Sequence, residues 1–124
     1  MKNIKSGIYR ITNPNNQVYI GQTINLRRRL TEYMTLCKTI SGQGRIFNSL
    51  KLHTPRDHNY EIIEECSVYE LDIQEAYHKL EYIKGNGWDN ALFSRIHDSS
   101  TPYRKRVEQD FYIKHGRSKH KRSE

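Results

Sequence analysis

The first 33 residues contain a group of polar side chains whose types and spacing suit chemistry on an anionic substrate. The group consists of Tyr9, Tyr19, Arg29 and Tyr33. A guanidinium group binds anionic oxygen atoms through a planar fork of N–H donors. A phenol has an ordinary pKa of about 10, and it can donate or accept a proton when neighbouring groups shift that pKa. These residues can act together only if the fold brings them to one place.

Two short strands are predicted to position the first two tyrosines. Residues 7–11 and 18–21 are rich in β-branched and aromatic side chains, and they flank the turn-forming sequence Asn-Pro-Asn-Asn at 13–16. This pattern predicts a β-hairpin. Directly opposed residues of an antiparallel pair share one face, so pairing of the strands close to the turn places Tyr9 opposite Tyr19.

A helix is predicted to follow the hairpin, with Asn25 as its N-cap. The core-facing residues at helical spacing are Leu26, Leu30, Met34 and Cys37. Arg29 and Tyr33 are four residues apart, so they lie one turn from each other on the same side of this helix. The hairpin and the helix together can therefore gather the three tyrosines and the arginine.

The rest of the chain predicts an α+β fold, with a small three-stranded antiparallel sheet flanked by helices and a C-terminal basic helix. We expect a helix over residues 45–52, a third strand over 60–66 beside the hairpin, and a helix over 69–84 that starts at a capping box. The buried side of that last helix is expected to carry Leu71, Ala76, Leu80 and Ile83. The basic helix is delimited by Thr101-Pro102 and Gly116.

Charge is distributed unevenly along this 124-residue chain, which is expected to form one domain with a modest core. Of the net charge of +7, residues 1–100 contribute 13 Lys and Arg against 11 Asp and Glu, and the remainder contributes 8 against 3. Such an excess indicates either an anionic partner or a solubilising tail. Nucleic acid fits better than a membrane surface, because no strongly apolar face accompanies the charge.

Cysteine usage and hydropathy point to the cytoplasm. Cys37 and Cys66 lack the CxxC spacing of a zinc site or a disulfide framework, and we expect both to be reduced and buried. No apolar run is long enough to cross a membrane, and no signal peptide is apparent before the first strand.

The triplet Gly7-Ile8-Tyr9, followed about ten residues later by Tyr19-Ile20-Gly21, resembles the signature of the GIY-YIG nuclease family. Arg29 matches the family's arginine, and Tyr33 matches a position that holds histidine or tyrosine in different members. The resemblance covers roughly three quarters of the chain. It implies a catalytic domain over residues 1–98 followed by a basic helix and tail over 99–124.

The function implied by this resemblance is that of a homing or phage endonuclease. Such an enzyme hydrolyses phosphodiester bonds of double-stranded DNA, uses no small-molecule cofactor, and works in the cytoplasm, or in the host's cytoplasm if a phage encodes it. The resemblance also makes nucleic acid the favoured partner of the basic residues. The side chains we assign to DNA phosphates are Arg27, Arg28, Arg104, Lys105 and Arg106.

The same resemblance implies one carboxylate that holds Mg²⁺ or Mn²⁺, on the helix after the third strand. Glu70, Asp72, Glu75 and Glu81 are the candidates. We assign Glu75, because it lies mid-helix and stands a family-like distance before Asn90, the match to a downstream asparagine. Glu81 is the alternative, since Lys79 stands where many members have an aliphatic residue. We interpret Glu70 and Asp72 as a solvated helix face.

Catalytic roles follow from the chemistry of phosphodiester hydrolysis. Tyr9 is the expected general base, directly or through Tyr19, and ionising it near pH 7 needs about 4 kcal/mol, to which cations and a phenol–phenol hydrogen bond can contribute. Arg29 is expected to bind the scissile phosphate, and Tyr33 to orient the attacking water or the phosphate. A single carboxylate suffices for Mg²⁺, which keeps several waters and takes phosphate oxygens as further ligands.

Two departures from the family pattern, Lys79 and Gln22, leave alternatives open. Gln22 stands where many members carry a lysine just after the second glycine, so a cation is missing there unless Arg27 or Arg28 replaces it. The chain is therefore either an active nuclease or a catalytically weak or inactive DNA-binding module that retains the fold. A third alternative is a fragment of a longer enzyme, because homing members of the family attach a long DNA-binding region beyond the catalytic domain. His53 and His58 lack the partners of a metal site, and we interpret both as surface or DNA-facing residues.

Overall fold

A computed structural model describes residues 4–93, which form an α+β fold around one three-stranded antiparallel sheet. Its elements are β1 (Gly7–Thr12), β2 (Val18–Thr23), α1 (Leu26–Met34), α2 (Gly44–His53), β3 (Asn59–Glu65) and α3 (Leu71–Asn86). The predicted hairpin, third strand and three helices are thus confirmed. The predicted basic helix and tail lie outside the described residues. Among the helices of residues 4–93, none combines the length and apolarity needed to cross a membrane.

The sheet has the strand order β2-β1-β3, and its register differs from the predicted one. Tyr9 pairs with Gly21, and Ile11 pairs with Tyr19, so the predicted pairing of Tyr9 with Tyr19 is wrong by two residues. The side chain of Asn13 holds a longer turn than expected, because its Oδ1 accepts hydrogen bonds from two backbone N–H groups at 2.9 and 2.8 Å. Since side chains alternate with a period of two, both phenols still lie on one face.

Hydrophobic cores form on both faces of the sheet. The first core, with α1 and α2, contains Tyr9, Ile11, Leu26, Tyr33, Ile40, Ile46, Leu50 and Leu92. The second core, with α3, contains Ile8, Val18, Ile20, Leu71, Ala91 and Phe93. Ala91 forms a parallel bridge with Val18, so the segment after α3 returns to the sheet along β2. Strand β2 therefore packs against both helical layers and also pairs with this returning segment.

Helix α1 begins as predicted but buries a different set of side chains. The Asn25 side chain accepts a hydrogen bond from the backbone N–H of the third helical residue at 3.1 Å. The helix ends at Met34, which is half-exposed rather than core-facing, because Tyr33 fills the buried position beside it. Cys37 lies beyond the helix, and it and Cys66 are half-buried free thiols, not buried ones as predicted.

Helix α3 turns a polar face toward the sheet, contrary to the prediction. Its buried residues are Leu71, Asp72, Glu75 and Lys79. Leu80, predicted to be buried, is half-exposed, as are Ile73 and Tyr77 on the outer face. Asp72, interpreted as solvated, is also buried. The helix is rotated this way because its polar side chains meet a partner on β2, described below.

His58 is also placed differently from the prediction, which put it on the surface. Its side chain is 6% exposed, with one ring nitrogen 2.9 Å from Ser49 Oγ and the other 2.9 Å from the backbone oxygen of Thr54. Both polar atoms of the ring are therefore satisfied within the fold, which is the condition for burying them. His53 remains partly exposed at the end of α2.

Replacing Gly21 by alanine is expected to destabilise the fold by about 1–3 kcal/mol, the usual cost of overpacking. A Cβ at this position would lie 2.5 Å from Tyr9 Oη and 2.9 Å from Tyr19 Cε2, and the Tyr9 ring is fully enclosed by the core. Urea denaturation measures the change. Gly85→Ala is the matched control, because a Cβ there meets open space and alanine favours a helix by up to about 1 kcal/mol. Equal stability of the two variants would contradict the packing argument.

Candidate active site

Three tyrosine rings form a contact cluster on the face of the sheet that packs against α1. The ring centroids of Tyr9 and Tyr33 are 5.6 Å apart, and Tyr19 lies 6.2 Å from each of them. Tyr9 comes from β1, Tyr19 from β2 and Tyr33 from α1, so three elements are needed to build the cluster. The predicted gathering of the three phenols is therefore what the fold produces.

A chain of hydrogen bonds orders the hydroxyl groups of this cluster. The Tyr9 and Tyr33 hydroxyl oxygens are 2.6 Å apart. Tyr33 donates its proton to Gln43 Oε1 at 2.5 Å, just before α2. Because a phenol has one proton to donate, Tyr9 must be the donor in its bond with Tyr33. The hydrogen bonds therefore run from Tyr9 to Tyr33 to Gln43.

Burial keeps these phenols protonated. It raises the pKa of Tyr9 well above 10, and the hydrogen bond to Tyr33 raises it further, because Tyr9 is the donor. Burial likewise raises the pKa of Tyr19 and of Tyr33, and the hydrogen bond that Tyr33 accepts from Tyr9 lowers the pKa of Tyr33 against this effect. The expectation that a phenol–phenol hydrogen bond would favour ionised Tyr9 is therefore wrong in direction.

Arg29 is the cation of this cluster. It lies one turn before Tyr33 on α1, its side chain is partly buried, and its Nη1 donates to Glu32 Oε1 at 2.9 Å. Its positive charge lowers the pKa of Tyr9, as it does for the other two phenols, against the larger effect of burial. The structure thus brings Arg29 to the tyrosines, as the helical spacing predicted.

A second polar cluster lies on the α3 side of strand β2. Gln22 Nε2 donates to Asp72 Oδ1 at 2.7 Å and to Glu75 Oε1. Lys79 Nζ lies 2.8 Å from Glu75 Oε2, and the side chains of this ion pair are only 9% and 8% exposed. The negative charge of Glu75 raises the pKa of Tyr19, which indicates that the two clusters are close enough to interact.

The donor atoms of this second cluster fit a weakly held Mg²⁺ or Mn²⁺. Carboxylate oxygens of Asp72 and Glu75 converge on one amide, and such oxygens are the ligands that Mg²⁺ prefers. Among residues 4–93, no group of three or more His, Cys, Asp or Glu side chains could hold a metal. A metal ion here would therefore need waters and substrate oxygens to complete its shell.

The alternative metal ligand and the other predicted residues lie elsewhere. Glu81 is on the outer face of α3, where its carboxylate is 3.5 Å from Lys84 Nζ. Asn90 lies beside β2, where its backbone oxygen accepts from the N–H of Val18 at 2.8 Å. Its side chain lines a separate cavity near the end of α3 and is not part of the phenol cluster.

The basic residues assigned to DNA are placed only in part. Arg27 and Arg28 are exposed on α1, next to the arginine of the phenol cluster, and Arg28 Nε lies 3.8 Å from Glu32. Arg104, Lys105 and Arg106 lie outside the described residues. Two exposed cations therefore directly precede Arg29 on helix α1.

Three residues of the site were not recognised from the sequence as parts of it. Gln43 lies between two glycines and gave no distinctive signal. Asp72 and Lys79 belong to a polar row at positions 72, 75 and 79 of α3. Because this spacing follows one helical face, and the apolar residues 73, 77 and 80 fall on the opposite face, the row was a detectable sign of a functional inner surface.

Comparison with known proteins identifies the family of the chain and a protein of similar fold. The profile of the GIY-YIG catalytic domain matches residues 5–87, and the chain belongs to this family. Its enzyme class is therefore endonuclease. The fold is similar to that of the catalytic domain of the intron endonuclease I-TevI, solved in a variant with one glutamate replaced by alanine, with a TM-score of 0.56 and 22% identity over 77% of this chain and 98% of that chain. No curated protein matches the chain at a significant level.

Alkaline pH is expected to destabilise the fold through the phenol cluster. The pKa of Tyr9 in the folded state exceeds its value of about 10 in the unfolded state. The stabilisation that the protonated phenol contributes to the folded state is therefore complete below pH 10, and it is lost as the pH rises toward the folded-state pKa. Above pH 10 the free energy of unfolding should fall by about 1.4 kcal/mol per pH unit for each such phenol. Tyr9→Phe should make the slope shallower by one such increment.

Urea denaturation at pH 9 to 11, with phenol absorbance recorded in parallel, measures this effect. The control is the absorbance titration of the urea-unfolded chain, which supplies the reference pKa. An identical slope in the wild type and in Tyr9→Phe would show that the buried phenol is not kept neutral by the fold.

Proposed function

We propose that the protein is a metal-dependent endonuclease that hydrolyses phosphodiester bonds of double-stranded DNA. The observation that carries this proposal is the meeting of two clusters at strand β2, with Tyr9, Tyr19 and Arg29 on one side and Glu75 on the other. Phosphodiester hydrolysis needs a base, a cation at the phosphate and help for the leaving oxygen, and these groups can supply each. The similarity to an intron endonuclease supports DNA as the substrate.

Arg29 is assigned to the scissile phosphate. A guanidinium group has five N–H donors in a fixed fork, and the bond to Glu32 orients the side chain while engaging one of them. The remaining donors suit the oxygens of a phosphate, and partial burial strengthens their effect on developing charge. Arg27 and Arg28, exposed on the same helix, would bind flanking phosphates without reading sequence.

Tyr9 is assigned as the general base, acting directly or through Tyr19. Tyr9 is almost completely buried, whereas Tyr19 is partly exposed and in ring contact with it, so Tyr19 can reach a water molecule. Arg29 is the residue that favours the ionised form of both phenols. Tyr33 accepts a hydrogen bond from Tyr9 and packs against the ring of Tyr19, which helps to fix the orientation of both.

Glu75 is assigned as the ligand of Mg²⁺ or Mn²⁺, with Asp72 beside it. When bound, the metal would polarise the phosphate and stabilise the leaving oxygen. Gln22 holds both carboxylates in one orientation through its amide. Asn90, the remaining residue assigned from the family resemblance, is proposed to bind the substrate strand from its position beside β2.

A second candidate function is DNA binding with weak cleavage or none. The ion pair between Glu75 and Lys79 favours it, because an ammonium group already neutralises the proposed metal ligand. The same nucleic-acid surface would serve both functions, so binding alone does not distinguish them.

Metal-dependent cleavage of supercoiled plasmid is the test that separates the two. We expect Mg²⁺ to support nicking or linearisation and EDTA to abolish it. Tyr9→Phe, Arg29→Ala and Glu75→Ala should each lower the rate by at least about 100-fold, as loss of a general base or of charge stabilisation does. Circular dichroism checks that each variant is folded.

Glu81→Ala is the matched control, since it removes a carboxylate from the same helix on its exposed face. It should leave the cleavage rate within about twofold of the wild type, as surface substitutions away from a site do. A folded wild type that shifts DNA in a gel without cleaving it would instead establish the binding function.

The cleavage rate is also expected to rise with pH between 7 and 9. A base whose pKa lies well above this range is ionised in a fraction that increases about tenfold per pH unit. Single-turnover rates at saturating metal measure the slope, with DNA binding recorded at each pH as the control. A rate that levels off near pH 7 would exclude a buried phenol as the base.

A further inference from the structure

Lys79 is a buried cation in contact with the carboxylate proposed to hold the metal. Its ammonium lies 2.8 Å from Glu75 Oε2 and 5.0 Å from the centre of the Phe93 ring. Lysine is rarely buried to this extent unless it is paired. The charged end of the side chain is therefore held by Glu75 and also lies over an aromatic ring.

Both oxygens of Glu75 are engaged by side chains of this chain. Oε2 contacts the Lys79 ammonium, and Oε1 accepts from the amide of Gln22, which also binds Asp72. Among Asp72, Glu75 and Lys79 themselves, two carboxylates and one ammonium carry a net formal charge of one negative unit. A divalent ion that enters at Glu75 would meet a positive charge a few ångströms away and would compete for the same oxygen.

We propose that Lys79 is the counter-cation of Glu75 in the DNA-free protein and that it restricts metal binding until a DNA phosphate draws its ammonium away. This inference rests on the proposed function, in which Glu75 binds the metal. The flexible four-carbon side chain of lysine allows its charged end to move to a nearby phosphate while its stem stays packed. Lys79 then acts as a positioning residue that couples metal binding to DNA binding.

Metal affinity without DNA is the first measurement. Mn²⁺ binding is followed by electron paramagnetic resonance in the wild type and in Lys79→Gln, whose amide can still donate to Glu75 but carries no charge. We expect Lys79→Gln to bind Mn²⁺ at least about tenfold more tightly, the size of effect that a like charge at short range has on a neighbouring site. Lys84→Gln is the control, because it makes the same change on the exposed face of the same helix and should leave the affinity unaltered.

Coupling to DNA is measured by repeating the titration with a short duplex present. The Tyr9→Phe background is used both with Lys79 retained and with Lys79→Gln, so that the duplex stays intact, and a gel of the same samples verifies this. The duplex should raise the Mn²⁺ affinity of the protein that retains Lys79. The difference in Mn²⁺ affinity between this protein and the Lys79→Gln protein should therefore become smaller. By linkage, Mn²⁺ should raise the DNA affinity of each protein by the same factor by which the duplex raises its Mn²⁺ affinity. This factor should be larger for the protein that retains Lys79 than for the Lys79→Gln protein.

The outcomes separate the inference from the proposed function. Equal or weaker Mn²⁺ affinity in Lys79→Gln without DNA would overturn the role of Lys79, while metal-dependent plasmid cleavage would stand unaffected. Adding Glu75→Gln should abolish the gain in affinity. If the gain persists, Glu75 is not the ligand, and both the inference and the metal assignment fail.

The proposal can still be tested if the Lys79→Gln variant fails to fold. Removing one partner of a buried ion pair can cost several kcal/mol, and thermal denaturation of each variant detects this. The double variant Asp72→Asn with Lys79→Gln retains Glu75 and the single formal negative charge of the wild-type cluster. It should bind Mn²⁺ more tightly than Asp72→Asn alone in the absence of DNA, because these two proteins differ only at position 79, and equal affinity would overturn the proposal.

Discussion

The buried hydroxyl of Tyr9 is the constraint on which much of this structure depends. A phenol enclosed in the first core needs a hydrogen-bond partner, because leaving the group unpaired costs about 1–3 kcal/mol. Tyr33 supplies the partner, and Gln43 in turn accepts from Tyr33. One hydrogen-bonded chain thereby joins strand β1, helix α1 and the start of α2. Among residues 4–93, every buried side-chain N or O atom has a hydrogen-bond partner.

Strand β2 connects this constraint to the opposite face of the sheet. Because side chains alternate along a strand, Tyr19 points to the phenols while Gln22 points to α3 and holds Glu75. Gly21 is required between them, since any larger side chain would collide with the Tyr9 ring. One strand of six residues thus positions groups from both helical layers, and the spacing within the second signature triplet follows from this geometry.

The sequence predicted those parts of the fold that local chemistry controls. The hairpin, the Asn25 cap and the capping box at Ser67 depend on residues within a few positions of each other. The register of the hairpin was mispredicted, because the Asn13 side chain stabilises a longer turn than the composition indicates. The burial of His58 was also not predicted. Its partner Ser49 comes from α2, and its partner Thr54 is the residue that directly follows α2.

Helix α3 is where local pattern and tertiary structure disagree most. Its apolar residues Ile73, Tyr77 and Leu80 have helical spacing and would ordinarily form the buried side. Leaving these residues half-exposed loses only part of the favourable free energy that their full burial would contribute. Burying two carboxylates and an ammonium without partners would cost far more. The orientation is possible because Gln22 and the Glu75–Lys79 pair satisfy these charges inside.

A helix that leaves apolar side chains half-exposed in order to bury a satisfied polar row is not optimised for packing alone. That arrangement is the physical basis for proposing that the row belongs to a functional site.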